Sequence, residues 1–386
     1  MDRNLVTRRL AALAAVAAIV GACSSSTATA APTAAPTSAA TAAATTAATA
    51  APTTYTIGYS NGGSVGNGFR EEQVCTAKAQ AKMYPEITGL TVIHRNTDAA
   101  GQLSDIRDLI AKNVNAIVFN PNDPDALNPA LEEAHKAGIV TVSIDAYVTD
   151  ANAWNLYNNQ VKYAELGAKW LFDKLGGKGT VWYTRGLAGH PADSDRDIGF
   201  QNVLKQYPNI KVVPSSQGVW TGWDPATTTT LTNDFIQSGG YDKIDGIWAS
   251  GMGKQIVDAI KAANKKFVPI VDADIGGFVT QLLDPTGFPG LVGAAVTNTA
   301  SVGGAGITMA VKLLEGKTVT QSAGAGRPNT VLLDPVLLDN TTDTGKAALK
   351  AWQSVPGLDP LWPLSLSIQG WTTYDPNTVP ASCKGA

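Results

Sequence analysis

Several short patterns in this chain carry residue types that chemistry uses. Gly62-Gly63-Ser64-Val65-Gly66 fits G-x-S-x-G, which presents a nucleophilic serine on a sharp turn between a strand and a helix. That chemistry needs a base. The three histidines are His94, which closes a strand, His135, which falls in a helix, and His190, which has Asp193 and Asp195 close by. His190 stands in the wrong chain order to serve such a serine, so a secreted hydrolase using Ser64 is only a distant alternative. Asp193, Asp195 and Asp197 alternate like the start of a calcium loop, but the loop glycine is missing and the twelfth position would be Leu204. The histidine spacing fits none of the usual zinc patterns. Gly251-Met252-Gly253-Lys254 lacks the preceding glycine and the following hydroxyl residue of a phosphate loop, and reads as a helix start. No catalytic residue, no metal and no cofactor are expected.

One stretch survives this sorting. Residues 138–147, Gly-Ile-Val-Thr-Val-Ser-Ile-Asp-Ala-Tyr, form an apolar run entered through glycine that ends by delivering Asp145 into a loop. Runs of this kind between helical patterns are parallel strands buried on both faces. Ligands of open parallel sheets sit beyond the carboxyl ends of the strands, so Asp145 marks the floor of a binding site.

The elements that must position it alternate along the chain. Strands are expected at residues 55–60, 90–94, 116–119 and 138–145, with helices between them, and the alternation restarts after a crossing near residues 154–159. The second series has helices at 161–175 and 197–207 and strands at 180–184, 210–214, 246–249 and 268–271. Two similar α/β halves imply two lobes, each around a doubly wound parallel sheet. Residues 301–315 have helical spacing, with glycines at 303, 304 and 306 that permit close packing. Trp352, Trp362 and Trp371 in the tail are read as covers on the lobes rather than a ligand cage.

The beginning of the chain has a different composition. Arg3, Arg8 and Arg9 precede an apolar run at 10–20 that is too short to span a bilayer, and Gly21-Ala22-Cys23 follows. Residues 1–22 read as an export signal of the lipoprotein type, with Cys23 as the residue that takes the lipid. Residues 23–54, almost wholly Ala, Thr, Ser and Pro, read as a tether. The expected location is the outer face of the cytoplasmic membrane, held through the lipid alone. Removing the signal takes three Arg and one Asp, leaving 26 basic and 31 acidic side chains and a formal charge of −5. Nucleic acid is not an expected partner. Cys75 and Cys383 then remain, and since an exported protein often pairs two such cysteines, a disulfide tying the tail to the first helix is expected; the alternative is two separate buried thiols.

From Tyr55 to Lys317 the chain resembles the periplasmic sugar-binding proteins of ABC importers, the type I class that includes the ribose- and galactofuranose-binding proteins. Ile57-Gly58-Tyr59-Ser60 with Gly68-Phe69-Arg70 resembles the first strand and helix start of that class, and Asn120-Pro121-Asn122-Asp123 its loop after the third strand. Val142-Ser143-Ile144-Asp145 resembles the segment bearing its ligand Asp. Gly186-Leu187-Ala188-Gly189 with Arg196 and Gly199-Phe200 is similar to its second-lobe loop and ligand Arg, and Asp272 looks like its second ligand Asp. The chain departs from the pattern at Ala146, at Ser250-Gly251 and at Thr297 beside Asn298.

The resemblance implies two Rossmann-like lobes joined by a three-strand hinge, residues 55–157 with 298–327 against 158–297 with 328–386. It implies a monomer that captures a pentose, furanose or related polyol and hands it to a permease with its ATPase, or else presents it to a sensory receptor. The implied ligand set is Ser60, Phe69, Arg70, Asn120, Asp145, Tyr147, Asn158, His190, Arg196, Trp223, Asp272, Thr297 and Asn298. The carboxylates and Asn120 would accept sugar hydroxyls, the arginines would donate, and Phe69 with Trp223 would cover the ring's C–H faces. Duller roles stay open: Asp145 and Asp272 as loop caps, Arg70 paired with a glutamate on its own helix, Trp223 as core, Asn120 as a turn former.

Overall fold

The computed structural model describes residues 53–63, 66–353, 358–364 and 366–383. The export signal, Cys23, nearly all of the tether and Ser64 lie outside the described residues. The compact unit runs from Ala51 to Ala386 and holds both lobes.

The first lobe starts with β1 (Tyr55–Asn61), α1 (Gly68–Ala81), β2 (Ile87–His94), α2 (Ala99–Ala111), β3 (Ala116–Asn120), α3 (Asn128–Lys136), β4 (Val140–Ile144) and β5 (Trp154–Asn158). The second contains α4 (Gln160–Lys174), β6 (Lys178–Arg185), α5 (Pro191–Leu204), β7 (Asn209–Val213), β8 (Val219–Trp220), α6 (Pro225–Gln237), β9 (Gly246–Trp248), α7 (Gly253–Ala262), β10 (Ile270–Ala273), α8 (Gly276–Leu282) and β11 (Gly293–Val296). Then α9 (Val302–Leu314) and β12 (Thr330–Leu333) return to the first lobe, and β13 (Leu337–Asp339) and α10 (Asp343–Trp352) to the second. The last helix, α11 (Val379–Ser382), packs on α1.

The sheet orders are β12-β5-β4-β3-β1-β2 and β13-β11-β10-β9-β6-β7. All pairings of the first sheet are parallel, and only the β11–β13 pairing of the second is antiparallel. Strands covered by helices on both faces read as unbroken apolar runs, which is why Ala116 to Asn120 and Gly293 to Val296 are buried at every position. Each lobe has its own core, around Ile57, Val118 and Val142 in the first and Phe200, Trp248 and Val271 in the second.

Three segments cross between the sheets, at 158–160, 296–302 and 333–337. The second lobe therefore does not resume at 328. Residues 330–333 add a strand to the first sheet, with Val331 opposite Leu156. The tail does not belong to one lobe either. Trp362, Leu366, Tyr374 and Val379 cluster with Cys75 and Ala79 of α1, and Cys75 is disulfide-bonded to Cys383 with the Cα atoms 4.8 Å apart. Its earlier part is bonded to the second lobe, where Gly276 N–H donates to Trp362 O and Leu364 N–H donates to Asp274 O.

Candidate functional site

The carboxyl ends of both sheets face one cleft. Asn67, Gly68, Phe69, Arg70 and Asp145 line it from the first lobe, and Ala192, Arg196, Trp223, Ser250 and Met252 from the second. The cleft holds about 650 Å³ of space not taken up by atoms, open solvent included.

Asp145 follows β4 with φ 63°, a left-handed conformation that Asp and Asn tolerate better than most residues. Its carboxylate is held by amide side chains. Asn120 Nδ2 donates to one oxygen at 3.1 Å and Gln160 Nε2 reaches the other at 3.4 Å. Burial pushes the Asp145 carboxyl above its ordinary range, and the fields of Arg70 and Arg196 together with the bonds from Asn120 and Asn158 oppose that rise.

The two guanidinium groups come from opposite lobes. Arg70 is in the first turn of α1, whose N-cap Asn67 accepts from its amide. Its Nη1 donates to Asn61 at 2.8 Å, and Nη2 lies 3.0 Å from His190 Nε2 across the cleft. Burial lowers the pKa of Arg70. His190 caps α5, with Nδ1 3.2 Å from the Ala192 amide. Both neighbours of this imidazole are donors, and a neutral ring can accept from only one of them. Burial first, then Arg70 and Arg196, hold its pKa well below the usual value. Arg196, inside α5, donates to Gln160 Oε1 at 2.8 Å and to Ser250 Oγ at 3.2 Å, and its guanidinium lies 4.4 Å from the Tyr163 ring.

Apolar groups form the walls. Phe69 lies on one side, with Trp223, Met252 and Ile275 on the other. Trp223, at φ 52°, is fixed by an Nε1 donation to Ser250 O at 2.5 Å and packs where any side chain on Gly186 would stand. Leu361 of the tail also faces the cleft, and its carbonyl lies where a Cβ on Gly68 would be.

Of the expected ligand set, Phe69, Arg70, Asp145, Arg196, Trp223 and Asn298 line the cleft. The others take different places. The Asp272 carboxylate accepts from the Gly251 and Gly253 amides at 2.5 and 2.6 Å, so it caps the loop into α7. Burial pushes its pKa up to about 6. Tyr147 lies beneath the guanidinium of Arg327, 3.3 Å from the ring centroid, beside the cleft rather than in it. Thr297 Oγ1 accepts from the Val336 amide and ties two crossings together. Ser60 is fully buried and lies 3.5 Å from Gln102 Nε2. Asn120 and Asn158 stand behind Asp145 and orient it, and His190 meets Arg70 instead of lining the space.

Sequence reasoning missed Gln160. This first residue of α4 contacts Asp145, donates to Asn298 Oδ1 at 3.0 Å and accepts from Arg196, joining both lobes and the hinge. Only its place at a crossing could have pointed to it. Several buried polar atoms near the charged groups have no hydrogen-bond partner among the described residues: Tyr59 Oη, Gln73 Nε2, Asn120 Oδ1 and Tyr163 Oη.

Residues 57–318 match the family model described as a periplasmic binding protein domain. The xylitol-binding protein of Mycolicibacterium smegmatis is 29% identical over 227 residues, 58% of this chain and 63% of that protein. The ribose import binding protein of Bacillus subtilis is 28% identical over 182 residues, 46% of this chain and 57% of that one. The chain thus spans about three-fifths of the length of these relatives. Among solved structures, an ABC transporter solute binding protein from Thermobispora bispora superposes with a TM-score of 0.68 at 24% identity, over 80% of this chain and 90% of its own. A galactofuranose binding protein gives 0.67 at 22% identity, over 77% and 97%.

Proposed function

The chain belongs to the periplasmic binding protein domain family, and from that premise we propose that it is the solute-binding component of an ABC importer. It captures a sugar or polyol between its lobes and delivers it to a permease served by an ATPase. In this reading Cys23 carries a lipid that holds a monomeric protein at the outer face of the membrane, and the protein performs no covalent chemistry. The names of the relatives, for xylitol and for ribose, support a pentose-sized polyhydroxylated ligand.

The observation that carries the reading is the composition of the cleft. A buried carboxylate, two buried guanidinium groups from opposite lobes and an aromatic side chain from each lobe are what a ring with an apolar face and a hydroxyl rim requires. Function is then a hinge motion. A ligand that touches Asp145 on one lobe and Arg196 on the other stabilises the closed arrangement, because its affinity differs between the two states.

A thermal-shift screen of the full chain tests this. Pentoses, hexoses and polyols are compared with amino acids and nucleosides, since a ligand that binds only the folded state raises the melting temperature by mass action. The expected result is a shift with one sugar or polyol class. A shift only with a nucleoside or amino acid would overturn the ligand assignment.

A further inference from the structure

Arg70 and Arg196 are 5% and 4% exposed. The hydrogen bonds they make run to Asn61, His190, Gln160 and Ser250, all neutral. Among the described residues neither guanidinium has a carboxylate within 4.0 Å, although Arg95, Arg107, Arg185 and Arg327 each do. The cleft offers little to offset them. Asp145 is the single acidic residue in its lining, and amides of Asn120 and Gln160 already bind its two oxygens. The Asp272 carboxylate, bound to two backbone amides, meets Arg196 through its field and not by contact.

A buried guanidinium with no carboxylate in contact is a costly arrangement, and it is tolerated where a binding event supplies that contact. We propose that the ligand of this cleft bears a carboxylate, as an aldonate or a uronate does, seated against the guanidinium groups of Arg70 and Arg196. This rests on the sugar-site reading of the cleft and deepens it. The two lining arginines exceed the one lining acid by a single charge, which matches one carboxylate. A planar guanidinium meets a carboxylate with two parallel bonds, and a carboxylate between two lobes can take one such contact from each. The remaining hydroxyls would fall to Asp145 and Asn298, and the C–H face to Phe69 or Trp223.

Calorimetric titration of the full chain with matched pairs at constant ionic strength tests the proposal: L-arabinose against L-arabinonate, and D-galactose against D-galacturonate and D-galactonate. The expected result is at least tenfold tighter binding of the acid than of its neutral parent in one or more pairs. Arg196→Gln and Arg70→Gln, each checked for a cooperative melt, should reduce that ratio rather than weaken both partners equally. A preference for the acid below tenfold in every pair, with the parent bound, overturns the carboxylate and leaves the sugar reading standing. No heat with any member of any pair, from wild-type protein that melts cooperatively, overturns both. The wild-type comparison decides the matter even if neither variant folds.

Discussion

Asp145 combines a backbone and a side-chain demand that few residue types satisfy together. Its left-handed φ favours Asp, Asn or Gly, and its buried carboxyl, with a pKa raised by burial, disfavours charge in the folded protein. A group whose folded pKa lies above its unfolded value binds a proton more tightly when folded, so its contribution to stability is full at low pH and is lost as pH rises through the folded pKa. Asp145→Asn keeps the backbone and removes the charge. The change relieves the burial of that charge but takes from Arg70 and Arg196 the one acid in the cleft lining, so the melting temperature of the ligand-free protein should change little at neutral pH, while binding weakens by roughly tenfold to a hundredfold, the worth of a charged hydrogen bond. A calorimetric titration beside a thermal melt reads both, and a large drop in melting temperature would make Asp145 structural instead. At this scale the sequence was partly legible. Asp145, Arg70 and Arg196 have types and places that announce a polar site. Asp272 has the same type at an equivalent strand end, and only the positions of two amide groups reveal that its carboxylate is occupied. Gln160 had only its place at a crossing to mark it, because a glutamine at a helix start is common on any surface.

At the scale of elements, α1 packs closely on α9 in the first lobe. A methyl group on Gly303 would meet the Gln73 carbonyl oxygen, and one on Gly304 would meet the Thr76 carbonyl and the Tyr374 ring. Thr76 Oγ1 donates to Ala300 O and fixes the contact from the other side. Backbone cannot retreat as a flexible side chain can, so Gly303→Ala should cost about 1–3 kcal/mol, the penalty for overpacking, in a urea titration. An unchanged midpoint would show that the two helices can slide apart freely. The helices and strands themselves were readable because helices space their apolar residues while the buried strands are short unbroken apolar runs, and so was the use of small residues in α9. The strand Thr330–Leu333 was not. Four residues carry almost no period, and membership of a sheet is decided by a partner about 175 positions away, here Asn155 to Asn158.

At the scale of the whole molecule, closure is held by contacts outside the cleft as well as within it. Asn67 Nδ2 donates to Trp223 O at 3.2 Å, Arg70 meets His190, and Arg327 of the first lobe lies 4.0 Å from Asp195 of the second. Arg327 also donates to the Tyr157 hydroxyl at 3.1 Å, so it is well placed to favour the closed arrangement without touching the ligand. Arg327→Gln should raise the dissociation constant about two- to fivefold, mainly through faster release, the size expected of a partly exposed ion pair. Stopped-flow fluorescence would read it, and an unchanged release rate would remove Arg327 from the closing contacts.

The bond between Cys75 and Cys383 has a topological consequence. It joins residues 308 positions apart, so nearly the whole folded part of the chain, hinge crossings included, lies on one covalent ring. A protease that cuts this ring once, anywhere between the two cysteines, opens it without dividing it, and both fragments stay attached until a reductant arrives. For as long as the bond stays oxidised, a nicked molecule of this kind keeps both halves of its cleft.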